Sequence, residues 1–353
     1  KFTFLININI LKTIQVKSLP FNLVIADIAE AFNCAVRSNC GEYWIKIPKK
    51  WGKGTIRGIN FDGGLGIIQY DCIFHNDIEI QFIVNKVHPL KFIYCLEGFV
   101  KHSFENDDKW HELEQYQCNI LGSENYNGHI LHFLSDTKTR INSLEIDREA
   151  FHTKMDCELK SLNSDLKELF LDKIAKRKFY YQGHYSLRIA EIFNRIQEFD
   201  NIDLIRRLYL EGKAYTILSQ QILQYQDDLQ EIGNRSLLRR SEIQLIEKAA
   251  KIIIEEISEF DNIETLSRRV GLNVNKLQEG FKYFYQNTVN GYIQTIRLEI
   301  AKNLLSNSDY NISEIVQQIG LSSNSYFSKV FKEKYNISPS EFKQNNKRFK
   351  KSG

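Results

Sequence analysis

The sequence predicts an α+β multidomain chain: a β-barrel or sandwich first, a helical linker next, and an all-α domain last. Three observations carry that prediction. Short apolar runs separated by glycine turns fill residues 41–150, the pattern of many short strands. No proline lies between Pro89 and Pro339, so nothing interrupts long helices beyond residue 150. Two segments of the form helix, glycine turn, helix then repeat at an offset of 49 residues, with Gly271 and Gly320 at their turns.

The opening stretch alternates Phe2, Phe4, Ile6, Ile8 and Ile10, a period of two that reads as a strand. It has no small-residue cleavage site, so a signal peptide is not expected. The sole methionine is Met155, and the native start is expected to differ from Lys1. No run of about 18 apolar residues occurs, so no membrane span is expected. The six cysteines form no C-x-x-C pair, which argues against a disulfide framework or zinc finger and for free thiols in a cytoplasmic protein.

Glycine turns punctuate the β region at Gly52, Gly54 and Gly58, then at Gly63-Gly64-Leu65-Gly66. The apolar runs include Ile78 to Val84 and Leu90 to Leu96. Residues 155–240 read as helix. Within them Leu204, Leu208, Glu211, Tyr215, Leu218, Ile222, Tyr225 and Leu229 step alternately by four and three. That heptad-like seam either packs on the chain's own β domain or forms a dimer contact.

From residue 243 onward there are 16 Lys+Arg against 12 Asp+Glu, a net of +4, while the remainder carries 31 against 32, a net of −1. The basic excess suits a nucleic-acid partner. The first repeat opens at Asp261-Asn262, with Ile263, Leu266 and Val270 on one apolar face. Gly271 and Leu272 make the turn and Asn273 caps a second helix. Leu277, Phe281 and Phe284 face inward there, leaving Asn275, Lys276, Gln278, Glu279 and Lys282 outward, after Val274 in the first turn. In the second repeat Ile312, Ile315 and Ile319 precede Gly320-Leu321, and Asn311 or Ser313, then Ser322 or Ser323, supply the caps. Phe327, Val330 and Phe331 face inward, and Asn324, Ser325, Lys329 and Lys332 outward. Short polar side chains at the start of the second helix are the DNA-reading plan. Asn and Gln can bond adenine edges, Lys guanine, and Ser either. Residues 289–306 between the repeats form one periodic helix, a rod of about 27 Å that can hold two reading helices about one DNA turn apart.

These residues resemble the DNA-binding domain of the AraC family. The likeness rests on Leu266-Ser267 with Val270-Gly271-Leu272, on Tyr292-Ile293 with Arg297-Leu298 and Ala301, on Ser325 to Lys329 with Phe331-Lys332, and on Ile337-Ser338-Pro339. It covers about 100 residues and implies seven helices in two subdomains. It further implies that Asn273 to Lys282 and Ser323 to Lys332 enter successive major grooves. Gly271, Phe281, Gly320, Phe327, Phe331 and Pro339 would be the turn and core positions. Three departures stand out. Ser267 and Val316 occupy tight crossings where members usually carry Ala, Ser fitting easily and Val needing slack, and Glu279 stands where many carry Arg or Lys. The stretch Lys276 to Lys282 is also similar to regulators of siderophore uptake.

The resemblance implies a cupin-like sensing domain over 1–150 with an N-terminal extension, a helical linker or dimerisation region over 151–240, and a double helix-turn-helix domain over 241–353. It implies double-stranded DNA, RNA polymerase, a small-molecule effector and a second copy of the chain as partners. Tyr70, Phe82, Phe92, Tyr94 and Trp110 are candidate pocket residues, with plain core as the alternative. The chain has no H-x-H pair, and His129 and His132, three apart, fall on opposite faces of a strand. No metal and no cofactor are expected. No Walker loop, nucleophile elbow or Cys-His set occurs, so an enzyme is not expected. The remaining alternative is a DNA-binding regulator whose N-terminal domain only dimerises.

Overall fold

The computed structural model describes residues 11–17, 21–83, 87–162, 164–199, 203–230, 240–260 and 262–351. The strand expected over residues 1–10 lies outside them. The chain divides into two compact units, Lys1–Arg235 and Ser236–Gly353.

The first unit is a pair of facing sheets with helices around them. Its elements are β1 (Lys12–Gln15), α1 (Phe21–Phe32), β2 (Arg37–Asn39), β3 (Glu42–Lys46), β4 (Gly52–Asn60), β5 (Leu65–Phe74), β6 (Ile78–Phe82), β7 (Leu90–Glu97), β8 (Phe99–Phe104) and β9 (His111–Glu114). Then come β10 (Gln117–Gly122), β11 (His129–Phe133), β12 (Thr139–Ile146), α2 (Arg148–Leu159), α3 (Ser164–Leu171), β13 (Phe179–Tyr185), α4 (Leu187–Glu198) and α5 (Asp203–Gln230). One sheet runs β13-β10-β7-β12-β5-β4-β3-β2 and the other β1-β6-β11-β8-β9. Except for the parallel pair β1–β6, the ladders are antiparallel.

Alternation decides which side chains meet between the sheets. Ile68, Tyr70, Cys72 and Phe74 of β5 share one core with Ile93 and Cys95 of β7. From the opposite sheet come Ile78, Ile80 and Phe82 of β6 with Leu131 and Phe133 of β11. The sequence reading assigns nothing to residues 16–40. The structure places α1 there, and Val24, Ile25, Ile28 and Phe32 enter the same core at helical spacing.

The other face of the larger sheet carries helices. Tyr94 of β7 stacks on Phe193 of α4 at 5.6 Å and donates its hydroxyl to the Ser186 carbonyl at 2.6 Å. Phe92 meets Phe170 of α3 at 5.9 Å. Strand β13 departs from the helix expected over 155–240. Its sequence FYYQGHY is rich in aromatics that favour a pleated surface, and it pairs with β10.

Helix α5 splits the heptad-like seam. Leu218 and Tyr225 are buried, together with Leu210, Ala214 and Ile217, whereas Leu204, Leu208 and Leu229 are 65%, 61% and 39% exposed. The buried stripe lies on the chain's own first unit, against α4, β5 and β13.

The second unit is all helix: α6 (Arg240–Glu255), α7 (Ile263–Val270), α8 (Val274–Tyr285), α9 (Val289–Asn307), α10 (Ile312–Gln318), α11 (Asn324–Tyr335) and α12 (Pro339–Lys351). Helix α9 is the central rod, its 19 residues spanning about 28 Å. Its first turns bury Val289, Tyr292 and Ile293. Its later turns bring Leu298, Ala301 and Leu305 against Ile315, Val316, Ile319, Phe327, Val330 and Phe331. Val316 is only 3% exposed, beside the small Ala301, so the crossing accepts its branched side chain. Pro339 opens α12, where its missing N–H costs nothing.

Candidate nucleic-acid interface

Two helix-turn-helix segments, α7–α8 and α10–α11, lie at opposite ends of α9. Each is set by local capping. In the first, Asn262 Oδ1 accepts from the Thr265 N–H at 2.8 Å. Gly271, at φ +79°, closes α7 in the left-handed region that a Cβ disfavours. Asn273 then accepts from the Lys276 N–H at 2.8 Å. In the second, Asn311 and Glu314 form a reciprocal capping box, and Ser323 Oγ accepts from the Tyr326 N–H at 3.2 Å. Gly320, at φ +69°, has no room for a side chain. A Cβ there would stand 2.7 Å from the Ile257 and Ser258 carbonyl oxygens, so this turn seats directly on the segment after α6.

The expected inward residues are inward: Leu277, Phe281, Phe327 and Phe331 are each 0% exposed. The outward set divides. Asn275, Glu279 and Lys282 of α8 are exposed, as are Ser325, Lys329 and Lys332 of α11. The others already have partners. Asn273 and Ser323 spend their side-chain oxygens as caps, and Asn324 donates to Ser313 Oγ at 2.8 Å. The Lys276 ammonium pairs with Glu242 of α6, and Gln278 accepts from the Val289 N–H at 3.1 Å, tying α8 to the start of α9. Val274 is half-buried.

Two residues of this surface escape the sequence reading. Tyr326 presents its ring from the first turn of α11, 49% exposed. Arg297 of α9 lies with Tyr326 and Asn262 on the wall of a cavity of about 740 Å³ within this unit. Its Nε is buried without a hydrogen bond, and burial lowers the guanidinium pKa, opposed by Tyr326. The Arg297-Leu298 pairing was the available signal.

The five aromatic pocket candidates do not come together. Tyr70 and Phe82 point between the sheets, while Phe92 and Tyr94 point the other way, to α3 and α4. Trp110 is 42% exposed, edge-on to His132. The inter-sheet space instead holds a polar cluster. His88, Lys91, His102, His129 and Glu145 are all buried, and His102 Nε2 lies 3.3 Å from His129 Nδ1. His132, on the opposite face of β11, reaches Asp77 at 3.1 Å. Among the described residues, no group of three or more His, Cys, Asp or Glu side chains is placed to hold a metal ion, nor is any helix long and apolar enough to cross a membrane.

Burial holds both paired imidazoles neutral. His102 is pushed down to about 3, chiefly by desolvation and then by His111 and Lys91, against Asp107. His129 is lowered by desolvation first, then by Lys91, His102, His88 and Arg148. An unfolded imidazole titrates near 6.5. Between pH 6.5 and 3 the unfolded state therefore binds the extra proton. Stability is complete above about pH 6.5 and falls as the pH drops. At pH 5 the loss through His102 is about 2 kcal/mol. Urea unfolding of the full chain at pH 7 and pH 5 should show it, and His102→Asn should reduce the difference by about that amount, leaving the part that His129 contributes. An unchanged difference in that variant would assign the acid sensitivity elsewhere.

Comparison with known families places both units. Residues 266–345 match a family described as "Helix-turn-helix domain", and residues 52–235 match "Regulatory protein PchR N-terminal domain". A histidine kinase of Formosa agariphila is 38% identical over 101 residues, 28% of this chain and 7% of that protein. Regulatory protein PchR of Pseudomonas aeruginosa is 34% identical over 109 residues, 30% of this chain and 36% of that protein. The chain thus spans little more than a third, at most, of these two relatives. A crystal structure of apo ToxT from Vibrio cholerae is 18% identical, covering 79% of this chain and 97% of that one at a TM-score of 0.31. With a PchR-type N-terminal domain over more than half its length and an AraC-type helix-turn-helix domain behind it, the chain belongs to the AraC family of transcription regulators.

Proposed function

We propose that this chain is a sequence-specific DNA-binding transcription regulator, modulated by a small ligand of its N-terminal unit and working as a homodimer in the cytoplasm. The observation that carries the DNA reading is the pair of helix-turn-helix segments on one rigid helix, each with uncommitted polar side chains on its second helix. Asn275 and Ser325 are the proposed base readers. Lys282, Lys329 and Lys332 are the proposed phosphate contacts, and Glu279 is suited to accept from a cytosine amine. Asn273, Lys276, Gln278, Ser323 and Asn324 act by shaping the reading helices, given the partners they already hold. RNA polymerase is the proposed protein partner.

Selection of bound DNA from a random pool by the full-length protein tests this reading. Two informative blocks about one helical turn apart support it. Recovery of no motif, with binding that vanishes in moderate salt, leaves only phosphate contacts and overturns it. Within the selected motif, Asn275→Ala and Ser325→Ala should each relax preference at one block, by about 1–3 kcal/mol. Lys332→Ala should weaken all sequences alike and reduce the salt slope by about one. Uniform loss in all three variants would sink the assigned roles.

The outward stripe of α5, with Leu204, Ile205, Leu208 and Leu223 about half or more exposed, supports a second copy as partner. Leu204→Glu with Leu208→Glu should lower the mass seen in sedimentation. The same stripe also favours the second reading, in which this unit dimerises and senses nothing.

A further inference from the structure

The helices α4 and α5 roof the outer face of the larger sheet, and that seam changes character along its length. At one end Ile59, Ile67, Ile196 and Leu210, all buried, line a gap of only about 10 Å³. Farther along, the sheet face turns polar and a cavity of about 210 Å³ remains beneath the roof. It lies on the opposite side of the sheet from the inter-sheet core.

Three guanidinium groups from three elements converge on it: Arg57 of β4, Arg140 of β12 and Arg206 of α5. Arg206 is fully engaged, holding Glu42 through Nε at 2.9 Å and Nη2 at 3.1 Å, and the Phe199 carbonyl through Nη1 at 2.8 Å. The other two are not. Arg57 reaches Glu42 through Nη1 alone, at 3.3 Å. Arg140 makes a 3.5 Å contact from Nη1 to Glu97 and another from Nη2 to Gln197. Its Nε is buried with no hydrogen bond, the Asp71 carboxylate lying 3.8 Å away. A buried charged donor left unmatched is costly, and packing could have closed this gap with apolar side chains as it does next door.

Charge and size narrow the occupant. Arg57, Arg140, Arg206 and Lys138 face Glu42, Asp71 and Glu97, four positive charges against three negative. One further negative charge balances the cluster, and the Asp71 carboxylate on the wall opposes a dianion. Gln69 donates to Asn142 Oδ1 at 2.7 Å, which leaves the Gln69 oxygen and the Asn142 amine for an occupant. The volume corresponds to about seven waters, below the range of drug-sized sites.

We propose that this cavity binds a small monocarboxylate bearing a hydroxyl group, its carboxylate held by the forks of Arg57 and Arg140 and its hydroxyl by Gln69 and Asn142. Guanidinium forks match a carboxylate through paired, charge-assisted hydrogen bonds. The proposal rests on the ligand-modulated reading above and names the place and class of that ligand. The roof helices are the last elements described in the first unit before the chain passes to the second.

The test is calorimetry and thermal melting of the full-length chain with sodium glycolate, L-lactate and D-lactate, beside matched sodium chloride and inorganic phosphate. At least one of the three acids should bind saturably and raise the melting temperature by about 2–4 °C at a hundredfold excess over its Kd. Arg57→Lys keeps the charge but loses the fork, and Arg140→Gln loses both. Each should weaken binding at least tenfold. Asn142→Ala, which leaves both arginines in place, guards against variants that fail to fold and should also weaken binding. The site is overturned if no acid exceeds the chloride control, if phosphate binds as tightly as the acids, or if all three variants bind like the parent. A chain that selects a DNA motif yet ignores these acids would sink this site and leave the DNA reading intact. One that binds an acid but selects no motif would do the reverse.

Discussion

Lys91→Met is expected to cost the full-length chain about 3–5 kcal/mol of folding stability, and adding Glu145→Leu is expected to restore most of it. Lys91 Nζ lies 2.6 Å from both Glu145 oxygens, and both side chains are 1% exposed. They sit directly opposite each other on β7 and β12. The ammonium also stands 3.9 Å from the Phe82 ring centre, and Ser143 donates to the same carboxylate at 2.8 Å. Burial lowers the Lys91 pKa, opposed by Glu145, so desolvation and pairing work against each other. Removing the lysine leaves the carboxylate buried with one hydroxyl donor, and it must lose its charge or open the barrel to water. Removing both charges leaves two apolar side chains of similar length, against the Phe82 ring and beside imidazoles that are already neutral. Urea unfolding of the parent, both single variants and the double variant closes the cycle. Single variants within 1 kcal/mol of the parent, or a double variant worse than either, would contradict this account.

That pair marks where the sequence stops being readable. Lys91 stands inside the run LKFIYCLE, and its partner is 54 residues away. Alternation predicts that position 91 points inward with 93 and 95, but not that a charge there is matched. The helix-turn-helix segments were legible because their determinants are local. A cap, a glycine and apolar residues at helical spacing lie within about 25 residues. The division of labour on the reading helices was not, because it depends on packing. Lys276 is held by Glu242, 34 residues earlier, and Gln278 by the Val289 N–H, 11 residues later. The capping roles of Asn273 and Ser323 were foreseeable, together with the consequence that a capping oxygen is spent. Strand β13 was hidden because it lies at a sheet edge with neither face fully covered, so FYYQGHY shows only a weak alternation. The three arginines around the outer cavity were invisible for the same reason as the ion pair: their positions, 57, 140 and 206, are joined only by the fold.

Inserting five base pairs between the two blocks of the selected DNA motif is expected to lower affinity by about 5- to 150-fold, while inserting ten should cost less if the other subunit of a dimer reads the displaced block. The argument starts from α9. Its 19 residues form one uninterrupted helix, its two ends are buried in separate helix-turn-helix cores, and the Gly320 turn is seated on the backbone at Ile257 and Ser258. The two reading helices therefore cannot rotate independently. DNA of about 10.5 base pairs per turn presents the second block on the opposite side after a five-base-pair insertion, so Ser325, Lys329 and Lys332 lose it. Losing the Ser325 base contact, at about 1–3 kcal/mol, gives the stated range. Ten base pairs restore the face but stretch the spacing by about 34 Å, beyond the reach of a fixed rod, so the second block remains unread by the same chain. Recovery after ten therefore measures contact by the other subunit of a dimer. Binding measured at one salt concentration separates these losses from phosphate contacts, which the insertion leaves in number. If affinity were indifferent to the five-base-pair insertion, either only one helix-turn-helix reads bases or the two are not rigidly joined, and reading of both blocks by one chain would be wrong.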